Sequence, residues 1–138
     1  MLAPMARFAI DSSALMRIVS DDVAIDPSHR LVAPSAVRSE ALDRLLPDVR
    51  AGRVPREEAS RIHERLTELQ IRLLGDRVSR RVAWDLALEH GWDSMRDAEY
   101  IAIARLQADA LIALDPSLQA RATGIVPLRP FDALFTDG

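Results

Sequence analysis

Four carboxylates stand out by their setting: Asp11 and Asp115 at the ends of apolar runs, and Glu40 and Asp97 within or near apolar helical surfaces. Asp11 closes the apolar run Ala6 to Ile10, and Ser12-Ser13 then open the apolar-periodic segment Ala14-Leu15-Met16-Arg17-Ile18-Val19. Asp115 closes a second apolar run, Ala110 to Leu114. Carboxyl ends of parallel strands share one edge, so the two acids converge there if their strands are neighbours. Glu40 lies beside the apolar stripe Val37, Ala41 and Leu45, and Asp97 precedes Ala98, Ile101 and Ala102 on a helical pattern. Crowded acids raise one another's pKa, and a cation between them stabilises the ionised forms. Hard oxygen ligands without His or Cys select Mg²⁺ or Mn²⁺, ions suited to activating water against a phosphodiester. Each acid also has a plain structural use. Asp11, Asp97 and Asp115 can cap helices, and Glu40 can pair with Arg44 one turn later.

The elements that must carry these residues alternate. The run Ala6–Ile10 reads as a buried strand, and Ser20 to Arg30, with Asp26-Pro27, as a loop. Leu31-Val32-Ala33 is a short strand. Pro34-Ser35 leads into a helix with Ser35 as N-cap and Pro47 as its stop. Pro55 opens a charged helix from Arg56 to about Gln70, with Ile62, Leu66 and Leu69 on its apolar side. Ile71 to Leu74 either finishes that helix or forms a short strand, and Gly75 breaks the pattern. Asp76 to His90 is an amphipathic helix with Val78, Val82 and Leu86 inward and Gly91 as its stop. Asp93 caps a helix from Ser94 to about Gln107, followed by the strand Ala110–Leu114 and a short helix to Ala122. Gly124 turns the chain into Ile125-Val126-Pro127-Leu128, an edge strand because of its proline. Strands alternating with helices imply a three-layer α/β/α domain with a short, mostly parallel sheet. The 138 residues form one domain, its core spanning about 6–128.

Composition narrows the chemistry further. There is no cysteine, and His29, His63 and His90 lack ligand spacing, so a zinc site is not expected. All 18 basic residues are arginine. Receiver domains and haloacid-dehalogenase-type phosphatases also place Asp after a strand, but each uses a lysine near its phosphoryl group. The start, Met1-Leu2-Ala3-Pro4-Met5, is unlike a signal peptide, and no apolar run reaches the ~20 residues of a membrane span, so the expectation is a cytoplasmic protein. The formal net charge is −3, yet Arg44 to Arg81 holds ten Arg against six acids. That stretch reads equally as a solvated helical hairpin or as a face for nucleic acid.

Taken together, the motifs resemble the PIN-domain ribonucleases, particularly the VapC-type toxins of bacterial toxin–antitoxin pairs. The resemblance runs from Phe8 to Leu128 through FAIDSSAL, APSAVRSEAL, SMRDAEYIAIA and LIALDPSL. It implies Asp11, Glu40, Asp97 and Asp115 as metal-binding and catalytic acids, with Ser13 as a supporting hydroxyl. It further implies Mg²⁺- or Mn²⁺-dependent RNA cleavage by a water nucleophile, a cognate VapB-like antitoxin and a homodimer. Ala113 stands where the family usually has Ser or Thr two residues before its last acid. Asp115 then acts through a water or sets the local potential. Two other functions fit the same fold: a catalytically silent PIN domain serving as a binding module, and a DNA-directed nuclease. The partner surface expected for an antitoxin is the early helices with the Pro55–Leu74 hairpin, where Ile62, Leu66, Leu69, Ile71, Leu73 and Leu74 read equally as exposed apolar area or as packing against the chain's own core.

Overall fold

A computed structural model describes residues 6–135. Four strands, β1 (Ala6–Ile10), β2 (His29–Pro34), β3 (Arg72–Leu74) and β4 (Ala110–Ile112), form one all-parallel sheet in the order β3-β2-β1-β4. Six helices flank it: α1 (Ser12–Ser20), α2 (Val37–Arg50), α3 (Arg56–Glu68), α4 (Arg77–His90), α5 (Met95–Gln107) and α6 (Pro116–Ala122). A 3₁₀ turn, Phe131–Leu134, follows. Helices α1, α2 and α3 pack on one another, while α5 crosses β1, β2 and β4 and packs on α4 and α6. The result is the expected three-layer α/β/α arrangement.

Burial explains why the strands read as short apolar runs. Both faces of the sheet are covered, so Phe8, Ala9, Ile10, Leu31, Val32, Ala33, Leu111 and Ile112 are all buried, without alternation. Helix α5 is buried over most of its surface, from Tyr100 through Ala104, because it touches three strands and two helices. Among the described residues, no helix is long and apolar enough to cross a membrane.

Several boundaries differ from the sequence reading. Helix α2 begins at Val37 rather than after Ser35, because the Ser35 N–H continues the β2–β3 ladder by donating to the Leu74 carbonyl at 3.1 Å. It also runs through Pro47 to Arg50. Proline removes one backbone donor, but the Ala51 N–H still reaches the Pro47 carbonyl, and Val49 packs against the core. Ile71 to Leu74 resolves as the edge strand β3, so Pro55–Leu74 is a helix plus a strand and not a helical hairpin. Ile62 and Leu66 belong to the core, and of the six apolar residues assigned to a partner surface only Leu73 is exposed.

On α4 the inward face is Ser79, Ala83, Leu86 and Ala87, and Val78 is 61% exposed. Small residues let α4 approach α5 closely, which a valine-led stripe would not. Ser94, not Asp93, caps α5. Strand β4 stops at Ile112, and Leu128 makes only a single bridge to Leu111. Gly91, at φ 69°, ends α4 as expected, because the left-handed region favours glycine.

These placements have an energetic consequence. Leu111→Ala, in a fully buried position, should lower the unfolding free energy by about 2–5 kcal/mol. Val78→Ser should change it by less than about 0.5 kcal/mol. Chemical denaturation of both variants checks the assignment, and a large loss from Val78→Ser would restore the inward orientation of that residue.

Candidate active site at the carboxyl edge of the sheet

Strands β1 and β4 are neighbours, with Ile10 opposite Ile112, so the residues that follow them emerge side by side. Asp11 is the N-cap of α1, its Oδ1 accepting from the Ala14 N–H at 2.8 Å. Capping is only part of its role. The Leu114 N–H donates to the same carboxylate at 3.2 Å and the Asp115 N–H at 3.1 Å. The chain therefore leaves the β4 ladder at Ile112 to wrap its backbone donors around a carboxylate that is 2% exposed.

Glu40 projects from the first turn of α2, and its side chain is 14% exposed. The Tyr100 hydroxyl donates to its Oε2 at 2.5 Å, and Arg96 pairs with Oε1 at 3.1 Å. The helical pair with Arg44 does not form. Arg44 turns instead to Ser12, its Nε donating to Oγ at 2.9 Å, where its charge also acts on Asp11. Asp97, in the first turn of α5, pairs with Arg121 at 3.2 Å. Arg121 also pairs with Asp93 at 3.2 Å and lies over the Trp92 ring. Asp115 is the N-cap of α6, accepting from the Leu118 N–H.

Tyr100 connects the group. Its phenol donates to Glu40, lies beside Ser12 and feels the charge of Asp11. Burial, and then the hydrogen bond to Glu40, push its pKa far above the ordinary phenol value, so it stays protonated and donating. The Asp115 charge in turn acts on Asp97. Burial raises the Asp11 pKa against the lowering effect of its backbone donors and Arg44. Burial also raises that of Asp97, opposed by Arg121 and assisted by Asp115. The native state thus holds these protons more tightly than the unfolded chain. Their contribution to cation-free stability declines as pH rises from 3.8 through the raised values.

The four acids assigned from the sequence share this edge, but they are not drawn together to ligating distance. Among the described residues, no three Asp, Glu or His groups are placed to hold one ion. Glu40 and Asp97 are held by arginines instead. The donor set nevertheless suits a hard cation. Burial opposes ionisation of Asp11 and Asp97, a cost that a bound cation would offset, and carboxylate oxygens are the ligands such an ion takes. Ser13, expected as a supporting hydroxyl, is half-buried at the start of α1. Among the described residues its hydroxyl makes no hydrogen bond, because Ser12 is the buried one facing Arg44 and Tyr100.

Tyr100, Ser12, Arg96 and Arg121 were not singled out as site residues by sequence, and Arg44 was read only as a helical partner for Glu40. Tyr100 carried a usable signal: a lone tyrosine three residues after Asp97 shares its helical face. The arginines carried none, being a few among 18. Tyr100→Phe should destabilise the protein by about 1.5–3 kcal/mol, the scale for a hydrogen bond to a charged group. A double-mutant cycle with Glu40→Gln should show coupling between the two positions, and strict additivity would remove the contact.

No family model matches the chain, and no curated protein matches it in sequence. Its architecture is similar to the crystal structure of PAE2754 from Pyrobaculum aerophilum, with a TM-score of 0.71 and 25% identity, over 96% of this chain and 95% of that one. The likeness is one of overall fold.

Proposed function

We propose that this chain is a Mg²⁺- or Mn²⁺-dependent endoribonuclease of the PIN-domain, VapC-type toxin class. The observation that carries the reading is the placement of Asp11, Glu40, Asp97 and Asp115 along one sheet edge, where burial raises the pKa of Asp11 and Asp97. Asp11, Glu40 and Asp97 are the residues that would hold the cation, and Asp115 sits beside them. When bound, the cation supplies an activated water and neutralises charge on the phosphoryl oxygens.

The chain's own residues prepare the site. Backbone donors from Ala14, Leu114 and Asp115 fix the Asp11 carboxylate, and Tyr100 fixes Glu40. Arg44 and Arg96 are exposed cations at the same edge, positioned to hold phosphate oxygens of an RNA backbone. This offsets the acidic total of the chain where it matters. A cognate VapB-like antitoxin and a homodimer belong to the same reading, and Trp84 and Leu88, exposed on α4, are apolar surface for a partner.

One observation favours a second reading. The Glu40–Arg96 and Asp97–Arg121 pairs balance two carboxylates without a metal ion, as a catalytically silent binding module would. Cleavage separates the two. With Mn²⁺ present, the protein should cut single-stranded RNA. Asp11→Asn should keep the circular-dichroism spectrum and lose at least about 100-fold in rate, the scale for one electrostatic element of a site. An Asp11→Asn variant as active as the parent would remove Asp11 from the site. Faster cleavage of DNA than of RNA would replace the toxin assignment with a DNA-directed nuclease.

A further inference from the structure

The sheet carries a second polar feature at its opposite edge, where the strands begin. In the parallel register Arg7 stands opposite Arg30, and Val32, two residues beyond Arg30, stands opposite Arg72. Side chains alternate along a strand, so Arg7, Arg30 and Arg72 project from one face across three adjacent strands. Like charges directly opposite one another destabilise a sheet. Their location is the more telling point. Strands β1 and β2 are interior to the sheet and otherwise almost wholly buried, yet Arg7 and Arg30 are exposed.

The helical layer is open there. The arginines line a cavity of about 820 Å³ closed by the 25–27 loop and by Leu69 to Ile71. Such a volume lies within the range of small-molecule sites, roughly 300–1,000 Å³. Arg38, also in the lining, is committed to the end of α3, donating to the carbonyls of Leu66 at 3.0 Å and Leu69 at 2.7 Å. Arg30 spends one nitrogen on the Pro27 carbonyl at 3.0 Å. The guanidinium groups of Arg7 and Arg72 make no hydrogen bond or ion pair among the described residues. Two acids line the cavity. Asp26 already accepts from the Ser28 N–H and hydroxyl, and Glu68 is exposed, so the arginines outweigh them.

We infer that this cavity binds a nucleotide through its phosphoryl groups. Planar guanidinium forks match phosphate oxygens in pairs, and arginines on adjacent strands suit a diphosphate better than a single charge. Ile25, Leu69 and Ile71 offer an apolar wall for the base and ribose. The site is independent of the carboxylate edge and stands whether or not the chain is a nuclease.

Calorimetric titration tests it with pyrophosphate, ADP, citrate, and a trinucleotide in 5′-phosphorylated and 5′-hydroxyl forms. Pyrophosphate and ADP should bind the intact chain, and R72Q and R7Q should each weaken binding at least about tenfold. Arg81→Gln, on the outer face of α4, should bind like the parent. The folded stability of unliganded R7Q should equal or exceed that of the parent, because a like-charge pair is relieved. ADP binding tighter than either trinucleotide identifies a free nucleotide. Preference for the 5′-phosphorylated trinucleotide over both its 5′-hydroxyl form and ADP identifies the end of a nucleic-acid chain. No binding of pyrophosphate or ADP at millimolar concentration, undiminished binding by R72Q and R7Q, or citrate binding as well as pyrophosphate would each overturn the inference.

Discussion

The carboxylate of Asp11 is the constraint on which the carboxyl edge of this protein depends. It caps α1 and, through the N–H groups of Leu114 and Asp115, pins the segment that leaves β4 for α6. One buried charge thereby sets the relative position of two strand ends and two helix starts. Buried charges are costly unless hydrogen-bonded, and three backbone donors offset much of that cost. They do not offset all of it, since burial still raises the Asp11 pKa. Helix N-termini clustered at this edge add partial positive charge, which favours anions there. The fold has concentrated negative charge where its dipoles favour it, and left that charge incompletely compensated.

Arginines supply part of the compensation, and they do so unequally. Arg121 is half-buried among Trp92, Asp93 and Asp97, an arrangement that fixes the start of α5 against α6. Arg96 is different: its side chain is 66% exposed, and a solvent-screened pair of this kind contributes little to stability. Glu40 therefore has one firm partner, Tyr100, and one readily displaced partner. A carboxylate so held is oriented by its hydrogen bond yet available to a stronger cation, which is the physical sense in which the edge fits the proposed chemistry.

Much of this fold was legible in the sequence because its strands are buried on both faces. Continuous apolar runs ending in Asp located β1 and β4, and the alternation with helices implied the parallel sheet. What was not legible depends on tertiary context. Ser35 was diverted from capping by the β3 ladder, and Pro47 was carried inside α2 by the packing of Val49 beyond it. The inward face of α4 follows its small residues, because close approach to α5 outweighs valine's hydrophobicity there. At the site, the chain positions of the four acids could be read, but their partners could not. Tyr100 meets Glu40 across sixty positions and Arg121 meets Asp97 across twenty-four, and no local pattern encodes such pairs. Ser12 and Ser13 illustrate the limit at its smallest: adjacent, identical residues at a helix start, of which only the buried one joins the network.

The proposed function requires this edge to take a divalent cation among Asp11, Glu40 and Asp97. Anomalous diffraction from crystals equilibrated with Mn²⁺ tests it most directly. The account predicts one strong anomalous peak bounded by those three carboxylates, with Arg96 withdrawn from Glu40. Crystals that show no ordered Mn²⁺ at this edge, with the Glu40–Arg96 and Asp97–Arg121 pairs intact, would contradict it.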